Sequence, residues 1–152
     1  MIKILFICHG NICRSPMAEF IFKDMLARRG MADKFYVASA ATSTEEIWNG
    51  IGNPVYPPAK RELAKHGISC EGKRAVQLQR IDYDKYDYLI GMEERNRRNM
   101  LRILGSDQEG KVSLLLFYPQ LGVKLCSMAG GGVQKIYMVF FKRTVPAGQV
   151  RQ

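Results

Sequence analysis

The sequence predicts an α/β fold in which a parallel sheet carries helices on both faces. Short apolar runs alternate with amphipathic segments along residues 2–116, the order that strand-helix-strand units produce. The first apolar run ends in a glycine-containing loop that opens directly into an amphipathic segment. The chain has 152 residues, a size typical of one domain that buries a core without disulfides or metals. We therefore expect residues 1–152 to form a single three-layer domain.

The individual elements are predicted from apolar spacing and from the residues that end each segment. Residues 2–7 are largely apolar and indicate a buried strand, and residues 16–29 have helical apolar spacing that ends at Gly30. The later elements are a strand, a helix, a strand, a helix and a strand, over residues 35–38, 59–66, 88–92, 94–104 and 112–116. Right-handed crossovers place the loop after the first strand at the carboxyl edge of the sheet, where open sheets bind ligands.

That loop reads Cys-His-Gly-Asn-Ile-Cys-Arg-Ser over residues 8–15. A thiol at the end of the strand, Cys8, is separated by five residues from a guanidinium, Arg14, at the start of the helix. Backbone N–H groups in such a turn converge on an anion, and the helix adds free donors and its positive dipole end. The same field favours the thiolate form of Cys8. The loop therefore predicts an oxyanion site with a nucleophile at its floor.

These residues resemble the signature of the low-molecular-weight protein tyrosine phosphatases, which is Cys-x5-Arg-Ser within Gly-Asn-Ile-Cys-Arg-Ser-Pro. The similarity covers about residues 1–116 and continues through residues 16–19, 39–43, 52–54, 65–68 and 86–92. The resemblance implies a flavodoxin-like sheet of four parallel strands, in agreement with the apolar spacing. It also implies hydrolysis of phosphotyrosine, or of another aryl phosphate monoester, through a phosphocysteine intermediate.

The resemblance assigns roles to the residues of the loop. Cys8 is the nucleophile, and the planar guanidinium of Arg14 binds two phosphate oxygens in a geometry that lysine does not reproduce. Ser15 hydrogen-bonds the sulfur, although from the residues alone it is equally a hydroxyl at the helix entry. The phosphate-binding amides belong to His9, Gly10, Asn11, Ile12, Cys13 and Arg14.

Further residues are predicted to support the loop. Asn11 stands where a tight loop needs a left-handed conformation, which Asn tolerates, and the resemblance joins it to Ser15, Ser39 and His66 in a polar network. Without the resemblance, His66 before Gly67 is a cation at a helix C-terminus. The resemblance also implies that Cys13 forms a reversible disulfide with Cys8 and so prevents overoxidation; the alternative is that Cys13 fills space behind the loop.

The general acid of the family is the feature that this sequence lacks. The family places it on an Asp-Pro loop after the fourth strand, but here no Asp or Glu follows Glu109. The general acid is therefore unknown, and we expect impaired protonation of the leaving group, since a positioned acid contributes about 10²–10⁴ in rate. Trp48 is the candidate aromatic wall for a tyrosyl ring, with loop packing as the alternative.

Two other functions remain open from the sequence. Without a general acid, the chain is alternatively a weak or inactive phosphotyrosine-binding module. Thiol-based arsenate reduction needs a further cysteine pair, which the isolated Cys70 and Cys126 do not provide. A metal site is not expected, because the cysteines and His9 lack ligand-pair spacing, and no cofactor is implied.

Charge separates the family-like core, residues 1–116, from a divergent basic tail, residues 117–152, whose fold the sequence does not define. The net charge is +9, and residues 111–152 carry six Lys or Arg and no acid. The abrupt change is also consistent with a reading-frame change.

The expected partners are phosphotyrosyl proteins, small aryl phosphates and inorganic phosphate or a similar oxyanion, without specific nucleic-acid or membrane binding. No signal segment or long apolar stretch is present in the sequence, which predicts a cytoplasmic protein.

Overall fold

The computed structural model describes residues 1–115. The strands are β1 (Ile2–Cys8), β2 (Phe35–Ala41), β3 (Ile47–Trp48), β4 (Ile51–Gly52), β5 (Tyr88–Gly91) and β6 (Val112–Leu114). The helices are α1 (Arg14–Arg28), α2 (Pro57–Lys65), α3 (Asp82–Lys85) and α4 (Glu94–Leu104), with a 3-10 turn at Ala32–Lys34. The predictions for residues 117–152, including the divergent basic tail, lie outside the described residues.

Four of the strands form one parallel sheet in the order β2-β1-β5-β6. From β1 the chain crosses to β2 on one side, and it later returns to β5 on the other side of β1. The loop after β1 therefore lies where the strand order reverses, the position at which open α/β sheets bind ligands. Cys8, the last residue of β1, is paired with Ala41 of β2. The predicted parallel sheet is confirmed.

Both faces of the sheet are covered by helices, as predicted. Side chains alternate along a strand, so Ile4, Phe6 and Cys8 of β1 pack into one core with α1 and α2. Leu5 and Ile7 pack into the second core, which includes Met100 and Leu104 of α4. The described helices are all too short or too polar to span a membrane.

Several boundaries differ from those predicted, and each difference has a local cause. The first helix begins at Arg14, because residues 14 and 15 already turn helically out of the loop. The second begins at Pro57, since proline suits the first turn, where its missing N–H is not needed. β2 continues to Ala41 because pairing with β1 runs to Cys8. The hairpin β3–β4, which the sequence did not predict, turns at Asn49 and Gly50, both with positive φ.

Candidate active site

The loop between β1 and α1 holds Cys8 at the buried end of the strand. Cys8 is 3% exposed and Asn11 is 1% exposed. Asn11 has φ of 58°, so the predicted left-handed conformation is confirmed, at a residue type that adopts it at low cost. Met17 N–H donates to the Cys13 carbonyl over 3.1 Å, which fixes the loop to the first turn of α1.

The carbonyl groups of the loop are bound by backbone from outside it. Thr42 N–H donates to the Cys8 carbonyl over 3.0 Å, Ser43 N–H to the His9 carbonyl over 2.9 Å, and Tyr56 N–H to the Ile12 carbonyl over 2.8 Å. Oxygens engaged in this way are directed toward β2 and α2 rather than toward an anion. The arrangement keeps carbonyl oxygens away from the loop centre and suits a ring of N–H donors around an oxyanion.

Two groups contact the sulfur of Cys8. The Ser15 Oγ lies 2.9 Å from Sγ, and the Asn11 N–H points at Sγ over 3.3 Å. A thiolate has only acceptor capacity, so in that state the Ser15 hydroxyl donates to it. Both groups are placed to stabilise negative charge on the sulfur.

Behind the loop, four buried side chains form a polar chain that we call the buried network: Asn11, Ser15, Ser39 and Glu19. Ser39 Oγ donates to Glu19 Oε1 over 2.6 Å. The Asn11 amide nitrogen donates to both Ser39 Oγ, over 2.9 Å, and Ser15 Oγ, over 2.8 Å. The Asn11 side-chain oxygen accepts from Val76 N–H over 3.1 Å, which fixes the orientation of the amide.

The direction of these hydrogen bonds originates at Glu19. An ionised carboxylate only accepts, so Ser39 must donate to it and can only accept from Asn11. Both N–H bonds of the Asn11 amide are then used, and Ser15 accepts one of them. The single proton of the Ser15 hydroxyl remains available for the sulfur of Cys8. The sequence resemblance did not include Glu19 in the network, although it lies in the matched Ala18-Glu19 pair.

The Glu19 carboxylate, 5% exposed, is balanced by two lysines. Lys23 Nζ lies 2.7 Å from Oε2 and Lys73 Nζ lies 3.7 Å from Oε1. Lys73 Nζ also donates to the Ser39 carbonyl over 3.0 Å. Burial lowers the pKa of Lys73, and the Glu19 charge acts against that shift. Buried carboxylates are kept ionised by partners of this kind.

The structure does not bring His66 into this network. His66 follows the last residue of α2, where its N–H donates to the Leu63 carbonyl over 3.0 Å. Its side chain makes no hydrogen bond to any described residue, and the polar chain is completed by Glu19 and Lys73 instead. Lys73 follows a glycine in an irregular segment, so no local pattern identified it.

Arg14 stands at the entrance to the loop, with its side chain 23% exposed. Its Nη2 donates to Glu93 Oε1 over 3.3 Å. Glu93 is the N-cap of α4 and forms a capping box with Asn96. The guanidinium is thereby held beside the start of α4, with further N–H groups left for an anion.

The carboxylates around the loop already have partners among the described residues. Glu19 lies in the buried network and Glu93 binds Arg14. Glu45 Oε2 is 3.0 Å from His9 Nε2, and Glu46 Oε2 accepts from Asn53 Nδ2 over 2.8 Å. The sequence offers no candidate general acid, and the described part of the chain shows no unengaged carboxylate around the loop.

Cys13 and Trp48 occupy very different surroundings. Burial, and the neighbouring Cys8, raise the pKa of the Cys13 thiol to about 11, while Arg14 acts in the opposite direction. The Cys13 thiol is therefore protonated at neutral pH and does not act as a second nucleophile beside Cys8. Trp48 is 79% exposed in β3, opposite Ile51, which is 63% exposed.

Comparison with known proteins connects this site to one family. The chain matches the sequence profile described as low molecular weight phosphotyrosine protein phosphatase over residues 3–126. It is 39% identical over 118 residues to the low molecular weight protein-tyrosine-phosphatase YfkJ of Bacillus subtilis, covering 78% of this chain and 73% of YfkJ. It is also 39% identical over 100 residues to the low molecular weight phosphotyrosine protein phosphatase of Rattus norvegicus, covering 66% of this chain and 60% of the rat protein.

Solved structures agree with the sequence comparison. The crystal structure of YfkJ superposes with a TM-score of 0.75 at 30% identity, covering 95% of this chain and 98% of YfkJ. That of SP-PTP, a low molecular weight protein tyrosine phosphatase from Streptococcus pyogenes, gives 0.76 at 26% identity, covering 97% and 96%. The profile match includes the whole loop from Cys8 to Ser15 and extends over most of the chain. The chain therefore belongs to the low molecular weight phosphotyrosine protein phosphatase family.

Proposed function

We propose that this protein hydrolyses phosphotyrosine and other aryl phosphate monoesters through a covalent phosphocysteine on Cys8. The observation that carries the proposal is the Cys8 sulfur, which lies at the floor of the loop with hydrogen bonds from Asn11 N–H and Ser15 Oγ. The substrates are phosphotyrosyl proteins or small aryl phosphates, and inorganic phosphate is both the product and an occupant of the loop. No cofactor enters either step.

In the first step the Cys8 thiolate attacks phosphorus. The S–P bond forms while the bond from phosphorus to the aryl oxygen breaks, and the phenolic oxygen leaves with the bonding electrons. Arg14 and the amides of residues 9–14 stabilise the equatorial oxygens as charge shifts among them. Because each described carboxylate around the loop has a partner, the leaving oxygen departs with weak or no proton donation.

In the second step water attacks the phosphocysteine. The new P–O bond forms, the S–P bond breaks, one proton of the water passes to solvent, and Cys8 regains the electron pair as a thiolate. The Ser15 hydroxyl, directed at Sγ by the buried network, stabilises this leaving sulfur. Asn11 and Ser39 are thus positioning residues that act through Ser15.

The proposal also gives roles to Cys13 and Trp48. Peroxide converts the Cys8 thiolate to a sulfenic acid, and Cys13 captures it as a disulfide with loss of water, which blocks further oxidation. Trp48 contacts the tyrosyl ring of the substrate from the exposed hairpin β3–β4.

A single-turnover experiment tests this function. The full chain and its Cys8→Ser variant are mixed in excess with p-nitrophenyl phosphate and, separately, with a phosphotyrosyl peptide. We expect the wild type to release one equivalent of the phenol or tyrosine product per substrate molecule in a single phase, and Cys8→Ser to release none. Binding of the peptide with no turnover of either substrate would overturn the enzyme and leave the phosphotyrosine-binding module. Reduction of arsenate coupled to thiol oxidation would instead favour the reductase.

A further inference from the structure

A groove of about 620 Å³ opens beside the loop and is lined mostly by polar and charged side chains. His9 and Glu45 form the wall next to the active site, and α4 supplies the other wall through Arg95, Arg98, Asn99 and Arg102. The volume is that of a typical ligand site. The shared His9 makes the groove continuous with the loop that holds Cys8.

The three arginines of the groove have no acidic partner among residues 1–115. The nearby Arg97 is paired with Glu94 over 3.4 Å, which leaves Arg95, Arg98 and Arg102 facing the single carboxylate Glu45. Glu45 itself is engaged by His9 over 3.0 Å. Because no Asp or Glu follows Glu109 in the sequence, no acidic side chain of residues 116–152 neutralises them either. Uncompensated guanidinium groups in a concave surface attract anions.

The position of α4 relates this charge to the catalytic loop. Arg14 binds Glu93, the N-cap of α4, over 3.3 Å, so the helix begins at the entrance of the active site. Arg95 lies in its first turn, and Arg102 follows seven residues later, or about 10 Å further along the axis. An extended peptide covers that length in about three residues. The arginines therefore reach positions one to three residues from a phosphotyrosine bound in the loop.

We propose that this groove, the basic groove, binds acidic residues that flank the phosphotyrosine of the substrate peptide. The inference rests on the proposed function and narrows its substrate class to phosphotyrosyl segments with Asp or Glu on one side. Exposed ion pairs are individually weak, typically a few-fold in affinity each. Two such ion pairs together give about a tenfold preference for an acidic peptide over a neutral one, and added salt reduces this preference.

Peptide kinetics test the basic groove. The first pair of phosphotyrosyl peptides differs at the three positions before the phosphotyrosine, where one peptide has Glu and the other has Gln. The second pair differs in the same way at the three positions after it. The readout is the ratio of kcat/KM for the Glu peptide to that for the Gln peptide. We expect a ratio of about 10 for one of the pairs. In the variant Arg98→Glu combined with Arg102→Glu the ratio falls to about one or below.

The matched control is Arg61→Glu, which makes the same charge change on the exposed surface of α2 and should keep the wild-type ratio. Equal ratios in the wild type and the double variant would overturn the proposal. So would an equal loss in the control, which would show a nonspecific charge effect. If a single-stranded oligonucleotide binds tightly in a way that depends on Arg98, and no peptide preference is seen, the basic groove binds nucleic acid and the acidic-peptide proposal is overturned.

Failure of the proposed function is distinguished from failure of the groove. If the wild type does not turn over p-nitrophenyl phosphate, the enzymatic proposal fails, and the affinity of the Cys8→Ser protein for the same four peptides becomes the readout. A preference for Glu peptides that disappears in Arg98→Glu with Arg102→Glu would then still support the basic groove. Equal affinities for all four peptides would overturn it.

Discussion

The back of the catalytic loop and its entrance differ in how their charges are arranged. Behind the loop, the buried network connects Glu19 to the sulfur of Cys8 through hydrogen bonds of 2.6–2.9 Å. At the entrance, the side chains of His9 and Glu45 are 44% and 70% exposed, and Arg95, Arg98 and Arg102 of α4 have no acidic partner within residues 1–115. We therefore expect the buried, directed network to govern the chemistry of the sulfur, and the exposed, screened charges to govern which substrate binds.

The largest effect on the chemistry is expected at Arg14. In Arg14→Lys a single ammonium group replaces the planar guanidinium. The substitution also removes the guanidinium hydrogen bond to Glu93. We expect kcat/KM for p-nitrophenyl phosphate to fall about 10³-fold. Arg97→Lys, on the exposed side of α4, is the matched control and should retain wild-type kinetics. A loss smaller than tenfold at Arg14 would contradict its assignment to the transition state.

The proposed lack of a proton donor predicts a steep dependence of the first step on the leaving group. If the described carboxylates around the loop stay with their hydrogen-bond partners, the departing oxygen leaves with its negative charge unprotonated. Between p-nitrophenyl phosphate and phenyl phosphate we expect the rate of the first step to fall by about 10² or more. Rapid-quench measurement of both esters checks this. Similar first-step rates would show that a proton donor acts after all.

Glu19 tests whether the direction of the buried network matters. In Glu19→Gln the amide can donate to Ser39, which removes the reason for Ser15 to point its proton at Cys8. Loss of one charge-assisted hydrogen bond predicts a decrease of about 10- to 100-fold in kcat, mainly in the release of phosphate from Cys8. Burst kinetics resolve the two steps. Glu62→Gln, in the exposed pair with Lys65 on α2, is the control, and equal losses in both variants would contradict the directed network.

The raised pKa of Cys13 predicts how peroxide resistance depends on pH. Only the Cys13 thiolate captures a Cys8 sulfenic acid, and burial, the largest cause of the raised pKa of Cys13 (about 11 in the reduced protein), still acts on Cys13 in that state. Its thiolate fraction therefore rises with pH, and capture should accelerate about tenfold per unit between about pH 7 and pH 10. Mass spectrometry of the disulfide after a peroxide pulse measures it, with Cys13→Ser as the blank. A pH-independent rate would contradict the mechanism.

The smallest effect is expected at Trp48, on the exposed side of the comparison. Its side chain is 79% exposed, so Trp48→Ala should leave the free energy of unfolding within about 0.5 kcal/mol. If Trp48 contacts the tyrosyl ring, Trp48→Ala should raise KM for a phosphotyrosyl peptide by about fivefold or less. The inhibition constant for inorganic phosphate should change little. Ile51→Ala is the matched variant on the facing strand. Identical KM values in wild type and Trp48→Ala would remove the wall.

Features set by local sequence patterns can be predicted from the sequence, whereas contacts between distant segments cannot. The strand before Cys8, the left-handed Asn11 and the opening of α1 follow from local patterns of apolar spacing and residue type. Lys73 and His66 do not, because which side chain reaches the buried network depends on the path of the chain after α2, and Lys73 lies more than thirty residues beyond the end of β2. The basic groove was also missed, since α4 and the loop after β1 meet only through the order of strands in the sheet.

The proposed mechanism depends on phosphorylation of Cys8 during turnover. The most direct measurement is acid quenching of the wild type during turnover of a radiolabelled aryl phosphate, followed by digestion and mapping of the label. We expect label on the peptide that contains Cys8, at up to one equivalent per chain, and a longer-lived label in Glu19→Gln. Turnover with no label on that peptide, or turnover that survives Cys8→Ser, would contradict it.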